Sequence, residues 1–119
     1  MIKVEIFRNE EFKICGFSLS GHAGFAEEGE DIVCSAVSIL VINTINSIER
    51  FTEEKFVCDA NEKSGGYIKF SLPDIKDGNE NHDVELLLES MLYGLNNIEK
   101  EYSQYIKIID KGGRVLCWD

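Results

Sequence analysis

The chain has 119 residues, a length that suits one domain with its own hydrophobic core, and we expect a single domain over residues 1–119. Hydrophobic residues make up 44% of the chain and charged residues 29%, a composition that excludes an intrinsically disordered protein. The 22 acidic residues against 12 basic ones give a net charge of −10, which disfavours direct nucleic-acid binding and would attract a basic peptide.

Membrane association and secretion are not expected. The sequence contains no unbroken apolar run of roughly 18 residues, the length that would predict a membrane span. Its first residues alternate between apolar and charged side chains, unlike a signal peptide. We therefore expect a cytoplasmic protein. The four cysteines include no C-x-x-C pair, which argues against a zinc ribbon and a thioredoxin-type motif, and we expect no metal and no cofactor.

The first half of the chain predicts a hairpin followed by a long helix. Apolar and charged residues alternate from Ile2 to Arg8, the period of a half-buried strand. Phe12 to Ser20 is predicted as the second arm, and its alternation slips at Gly16, which predicts a β-bulge. The helix predicted from Ile32 to Phe51 is apolar on nearly every side. Such a helix must be covered on two sides, by the sheet and by either the second helix or another subunit.

The second half predicts another hairpin, a second helix and a final strand. The hairpin strands run over Lys55–Ala60 and Tyr67–Leu72, the helix over Asp83–Tyr102 and the strand over Ile106–Ile109. Val115–Trp118 adds at most a short strand, and we assign no function to it. The order ββαββαβ predicts an α+β domain in which two helices pack on an antiparallel or mixed sheet of about five strands.

Cys34 is the candidate nucleophile. Asp31 is predicted to cap the first helix, which would place Cys34 in its first turn. The positive end of the helix and its unpaired amides would stabilise a thiolate there and lower the pKa of the thiol. The alternatives are that Cys34 is a small core residue and that Asp31 is a catalytic group rather than a cap.

His22 is the candidate base. It follows the end of a predicted strand, where Gly21 lets the chain turn, and the following loop is long enough to bring it to the start of the helix. Cysteine catalysis needs a base within hydrogen-bonding distance of the thiol. The alternative is a surface or packing histidine, in which case His82, before the second helix, would be the reserve base.

Four further residues around Cys34 and His22 have two interpretations each. Gly24 and Gly29 are either hinges of a lid over the substrate or ordinary loop glycines. Phe25 is either an apolar lid contact or a loop anchor. Ser38 lies one helical turn beyond Cys34, so its hydroxyl bonds either within the site or to its own helix backbone.

Two motifs carry a resemblance to a known family. Gly21-His22-Ala23 and Asp31-Ile32-Val33-Cys34-Ser35-Ala36-Val37-Ser38 resemble the signature of the Prp family of ribosomal-processing cysteine proteases. The resemblance extends over nearly the whole chain in length and element order. It implies a cytoplasmic homodimer that removes an amino-terminal extension from large-subunit ribosomal protein twenty-seven by cutting after a Phe-Phe pair.

The resemblance also implies roles for single residues. His22 corresponds to the catalytic histidine and Cys34 to the nucleophile, while Asp31 and Ser38 match flanking positions of the site. The segment from Gly24 to Glu30 resembles the loop that shapes the substrate pocket. Ser35 departs from the alanine that is common in relatives, a change between two small residues.

The predicted reaction is therefore peptide hydrolysis through a thioester, in which amides near Cys34 and Ser35 stabilise the oxyanion. Two other functions remain open at this point. A non-catalytic peptide-binding or ribosome-assembly module would use the same groove without chemistry. A redox sensor would oxidise Cys34 without cleaving a peptide, although no second cysteine lies near it in sequence.

Overall fold

Five strands and three helices make up the described part of the chain. The structure is a computed structural model that describes residues 1–21, 29–61 and 67–111. The elements in chain order are β1 (Ile2–Arg8), β2 (Ile14–Ser20), α1 (Glu30–Phe51), β3 (Val57–Asn61), β4 (Tyr67–Ser71), α2 (Pro73–Lys76), α3 (His82–Glu101) and β5 (Ile106–Asp110).

The strands form one mixed sheet in the order β3-β4-β2-β1-β5. The pairs β1–β2, β2–β4 and β3–β4 are antiparallel, and β5 joins β1 in parallel. This arrangement confirms the predicted α+β class and the strand count. The predicted bulge is also confirmed, because Phe7 pairs with Gly16 and Arg8 with Ile14, which leaves Cys15 as the additional residue of β2.

The hydrophobic core lies between one face of the sheet and the two long helices. Alternate residues of β1 and β4 are buried against this face, as the period of a strand requires. The buried residues include Ile2, Val4 and Ile6 of β1, Phe17 and Leu19 of β2, Val33, Val37 and Val41 of α1, and Val84, Leu88 and Leu95 of α3. The sheet and both helices therefore enclose one common core.

The outward side of α1 remains uncovered in this chain. Ile32, Ile39 and Ile42 are 63%, 70% and 47% exposed. The second long helix packs closely against one flank of α1, since a Cβ atom at Gly94 would lie 2.8 Å from Leu40 Cδ2. The alternative in which the second helix covers α1 completely is therefore wrong for this outward side.

Helix α1 is also long and apolar enough to cross a membrane by length and composition. Polar residues interrupt its sequence at several positions, so it contains no unbroken apolar run of the length that predicts a membrane span. Its inward residues from Val33 to Ile48 are buried in the core, which accounts for much of its apolar character.

Four local features differ from the sequence prediction, and the first is that β3 begins at Val57 rather than Lys55. Helix α1 begins at Glu30, two residues earlier than predicted, and β2 begins at Ile14 rather than Phe12. The short helix α2 was missed, although a proline at the first position of a helix is favourable and Pro73 occupies that position. The tentative strand Val115–Trp118 lies outside the described residues.

Candidate active site

The start of α1 fixes the position of Cys34. Gly29 is the N-cap with φ of 98° and ψ of −42°, and the Val33 amide donates to the Gly29 carbonyl at 3.2 Å. Val33 and Val37 are fully buried, which anchors the first two turns. Cys34 is therefore a half-buried residue on the flank of a fixed helix.

The predicted capping role of Asp31 is wrong. The N-cap residue is Gly29, which forms no side-chain cap hydrogen bond, and Asp31 is an exposed residue of the first turn. Gly29 is the cap because the chain enters the helix with a positive φ, which glycine adopts without steric cost. A glycine cap contributes no side-chain acceptor, so the first amides are left to other partners.

The predicted oxyanion donors also need correction. The first helical hydrogen bond is already made by the Val33 amide, so the amides of Cys34 and Ser35 belong to the hydrogen-bond ladder of α1. The amides of Glu30 to Ile32 have no acceptor within the helix. These amides, one turn before Cys34, are the candidates for binding a negative oxygen.

The described surroundings of Cys34 disfavour its thiolate. Burial raises the pKa of the thiol, the hydrogen bond with Ser38 lowers it, and the carboxylates of Asp31 and Glu30 raise it, with a net upward change. The expected lowering by the helix end is therefore not what these residues produce. Cys34 is the fifth residue of α1, beyond the amides without helical partners, and two acids occupy the intervening turn.

Ser38 has the first of its two predicted interpretations. Its side chain hydrogen-bonds to the Cys34 sulfur from one turn further along α1. This bond favours the charged form of the thiol. Ser35 is exposed on the same helix.

The strand that leads to His22 ends beside the start of α1. Gly21, which follows β2, has φ of 76°, and a Cβ atom there would clash with the Met1 carbonyl oxygen. The Met1 nitrogen lies 3.5 Å from Glu30 Oε1. Gly21 and the first residue of α1 therefore adjoin the same residue, at one end of the sheet.

Several predicted site residues lie outside the described residues. They are His22, Ala23, Gly24 and Phe25, which precede Gly29. The reserve base His82 opens α3 beside residues 11–13 of the turn between β1 and β2, at the opposite end of β1 from Met1. Among residues 1–21, 29–61 and 67–111, no group of three or more His, Cys, Asp or Glu side chains is placed to hold a metal ion.

The sequence prediction missed Tyr105 at this end of the molecule. A Cβ atom at Gly29 would lie 3.2 Å from the Tyr105 hydroxyl oxygen, and the Tyr105 carbonyl accepts from the Ile2 amide at 2.8 Å. Tyr105 thus packs where α1 begins. The only sequence signal was an aromatic residue just before the last strand, and its meaning depends on the parallel pairing of β5 with β1.

Comparison with known proteins gives a consistent result. The family model described as cysteine protease Prp matches residues 1–107. The ribosomal processing cysteine protease Prp of Bacillus subtilis strain 168 is 32% identical over 108 residues, covering 91% of this chain and 96% of that protein.

Solved structures agree with that match. The crystal structure of the ribosomal processing protease Prp from Staphylococcus aureus with a substrate peptide has a TM-score of 0.80 and 31% identity, covering 93% of this chain and 100% of that one. The structure of the same protease with a covalently linked product peptide has a TM-score of 0.78 and 32% identity, covering 93% and 100%.

Proposed function

The chain belongs to the Prp family of cysteine proteases, and we propose that it cleaves a ribosomal protein precursor with Cys34 as nucleophile and His22 as base. The observation that carries this assignment is the placement of Cys34. Its half-buried thiol bonds to Ser38 at the start of α1, the end of the molecule at which Gly21 leaves β2 toward His22. The matched residues 1–107 include both motifs.

The reaction proceeds through a thioester. His22 takes the proton of the Cys34 thiol, and the sulfur attacks the carbonyl carbon of the scissile bond. We propose the amides of Glu30 to Ile32, which have no acceptor within α1, as the donors to the negative oxygen of the tetrahedral intermediate. His22 returns the proton to the departing amine as the carbon–nitrogen bond breaks. Water then hydrolyses the thioester, which releases the acid and restores the thiol.

The pKa of Cys34 determines how much His22 must contribute. Burial and two carboxylates raise the pKa of the thiol, so α1 by itself does not supply a thiolate near neutral pH. A positively charged imidazole next to the sulfur favours the thiolate. His22 is therefore proposed as the source of thiol activation as well as the proton carrier.

We propose the amino-terminal extension of large-subunit ribosomal protein twenty-seven as the substrate, cut after its Phe-Phe pair. Two relatives support this class of substrate, since one is named for ribosomal processing and one was crystallised with a substrate peptide. The net charge of −10 suits a basic ribosomal precursor. The same charge disfavours direct binding to nucleic acid, and we propose, from the family resemblance, that the enzyme is cytoplasmic.

The test is cleavage of the purified precursor, followed by intact mass. Wild type is expected to release the extension with its carboxyl end at the second phenylalanine. Cys34→Ala, Cys34→Ser and His22→Ala are expected to lose cleavage, whereas Cys58→Ala, the matched control at an exposed thiol, retains it. Cleavage by Cys34→Ala would refute the assignment. Binding by wild type without cleavage would instead indicate a non-catalytic module.

We further propose that the enzyme is a homodimer that buries the outward side of α1. Residues 32–48 contain no charged side chain, although the chain carries a net charge of −10. Two copies of so acidic a chain repel each other least where the surface is neutral and apolar. Ile39 lies within this exposed surface.

Sedimentation velocity tests the dimer. Ile39→Glu is expected to convert a dimer into a monomer, because it would bury two unpaired carboxylates in the interface. Tyr93→Glu is the control, since Tyr93 is equally exposed but lies on α3. A wild-type monomer, or an Ile39→Glu dimer of unchanged stability, would rule out this interface.

A further inference from the structure

A second groove lies at the other end of the sheet from Cys34. It is formed between the turn that joins β1 to β2 and the first turns of α3, and we call it the turn groove. Its volume is about 450 Å³, and it is lined by residues 11–13 of the turn and by His82, Glu85, Leu86 and Glu89 of α3. Cys34 and Ser38 do not line it, whereas His82, the reserve base of the sequence analysis, does.

Phe12 stands out within the turn groove. Its side chain is 66% exposed, and its φ of 65° makes it the one non-glycine residue with a positive φ among the residues described. A bulky residue is disfavoured in this conformation, which glycine and asparagine adopt readily. Folding therefore gains little from a phenylalanine here, whereas a binding surface would use it.

The turn holds Phe12 in a fixed position. The Phe12 amide donates to the Asn9 carbonyl at 3.0 Å, and Arg8 Nη1 donates to the Phe12 carbonyl at 2.8 Å. Asn9 Oδ1 accepts from the amides of Glu11 and Lys13 at 2.9 and 3.0 Å. The exposed ring thus projects from a rigid backbone, so little conformational entropy would be lost on binding.

The chemistry of the turn groove combines apolar and acidic groups. Leu86 is 71% exposed and adds a second apolar side chain. Three carboxylates line the groove: Glu85 is paired with Lys13 at 2.9 Å, Glu89 is paired with Arg8 at 2.8 Å, and Glu11 adds a further negative charge at the turn. The hydrogen bond with Glu85, together with the charges of Glu85, Glu80 and Glu89, raises the pKa of Lys13.

We propose that the turn groove docks a basic segment of the mature part of the precursor, with an apolar side chain packed between Phe12 and Leu86. This inference rests on the proposed function. Ribosomal proteins bind RNA and are accordingly basic, so the precursor complements an acidic rim. A second copy of this chain, with its net charge of −10, does not complement it.

The distance between Cys34 and the turn groove predicts which substrates are long enough to contact the groove. Strand β1 separates them, and its seven residues span about 20 Å. An extended substrate needs about six residues to cover that distance at roughly 3.3 Å per residue. A peptide that ends about four residues after the scissile bond therefore cannot reach the groove, whereas the full precursor can.

The test compares kcat/KM for the full precursor with kcat/KM for that short peptide. Phe12→Gly removes the ring and suits the positive φ, so the melting temperature is expected to stay equal or rise. For the precursor, kcat/KM is expected to fall about tenfold, the effect of losing one aromatic anchor. For the short peptide it is expected to stay unchanged. Leu86→Ala should act in the same direction.

The matched control is Phe51→Ala, because Phe51 is 74% exposed but lies at the end of α1 outside the groove. It should leave both substrates unaffected. Equal loss for both substrates, or no loss for the precursor, would overturn the docking proposal. A change of oligomeric state in Phe12→Gly with normal cleavage would overturn it in favour of a second copy. If wild type cleaves neither substrate, the proposed function itself fails.

Discussion

At the scale of single residues, the electrostatics of Cys34 are the feature with the most direct consequence. Glu30 and Asp31 place two negative charges in the turn before the thiol, and Ser38 donates a hydrogen bond from the turn after it. These neighbours act on the pKa in opposite directions. Because only the thiolate reacts with iodoacetamide, the labelling rate reports their balance without requiring a substrate.

Two substitutions should change that rate in opposite senses. Asp31→Asn removes a charge that raises the pKa of Cys34, so labelling at neutral pH is expected to become about two- to fivefold faster. Ser38→Ala removes a bond that lowers the pKa, so labelling should become slower. Rates at Cys34 are followed by peptide mass spectrometry, with Cys58 as the internal reference. Both variants changing the rate in one direction would contradict this balance.

Sequence reasoning succeeded at this scale where a residue's role depended on its neighbours along the chain. The helical spacing of Cys34 and Ser38 left two partners open for the Ser38 hydroxyl, one of which, the Cys34 sulfur, is its partner in the structure. It failed for Asp31, because a cap depends on the residue at which the helix begins. The actual start at Glu30 moved Cys34 beyond the first turn. The packing of Tyr105 beside Gly29 could not be predicted, since the two residues are distant in sequence.

At the scale of elements, the residue that follows β2, Gly21, must be glycine for two separate reasons. Gly21 has a positive φ, and its Cα hydrogen faces the Met1 carbonyl oxygen so closely that no Cβ atom fits. Gly78 also has a positive φ, 101°, but open space surrounds the position where a Cβ atom would be placed. Alanine at Gly78 would therefore cause backbone strain alone, whereas alanine at Gly21 would cause backbone strain and a steric clash.

Alanine at these positions should show the difference. Gly78→Ala is expected to lower the free energy of unfolding by about 1 kcal/mol, the cost of a left-handed alanine. Gly21→Ala should cost at least about 1 kcal/mol more, because Met1 or the strand end must move as well. Urea denaturation measures both. Equal losses would mean that the close approach to Met1 contributes nothing.

A second element-scale contact ties three elements together at Arg8, the last residue of β1. Its Nε donates to Asp110 Oδ1 of β5 at 2.9 Å, and its Nη1 donates to Glu89 Oε2 of α3 at 2.8 Å. The hydrogen bond with Asp110 outweighs the effect of burial and, with Glu89, raises the pKa of Arg8. The guanidinium thus joins the sheet to α3 in a partly buried position.

Loss of this contact should destabilise the fold. Arg8→Ala is expected to lower the free energy of unfolding by about 1–3 kcal/mol, the range for hydrogen bonds to charged groups. Arg50→Ala, at an exposed position near the end of α1, is the matched control with an effect below about 0.5 kcal/mol. A midpoint in urea that does not differ between the two variants would contradict a structural role for Arg8.

The element types followed from periodicity, but their arrangement did not. Alternation in β1 and helical spacing in α1 and α3 predicted the correct elements within a few residues. The position of β5 beside β1, rather than at β3, is set by how the two helices pack, which no local pattern encodes. The one-turn helix at Pro73 was missed because four residues are too few to show a period.

At the scale of the whole molecule, charge and apolar surface are separated. Residues 32–48 of α1 carry no charged side chain and expose Ile32, Ile39 and Ile42, while the turn groove at the other end of the sheet is lined by acids. This division allows two different contacts to coexist on one small chain. The neutral surface is suited to another acidic copy, and the acidic surface is suited to a basic substrate.

The separation makes the ionic strength of the assay informative. Attraction between a chain of net charge −10 and a basic precursor weakens as salt shortens the range of the electric field. We expect kcat/KM for the full precursor to fall about tenfold as the Debye length falls from about 10 Å to about 3 Å, mainly through slower association.

The control is a short peptide of zero net charge that is cut at the same bond. It lacks this attraction, so its kcat/KM should change little with salt. Glu11→Lys should reduce the salt dependence for the precursor, because it inverts one charge at the rim of the turn groove. Equal salt dependence for the precursor and the neutral peptide would mean that salt acts on the catalytic site, and the acidic surface would then have no part in substrate capture.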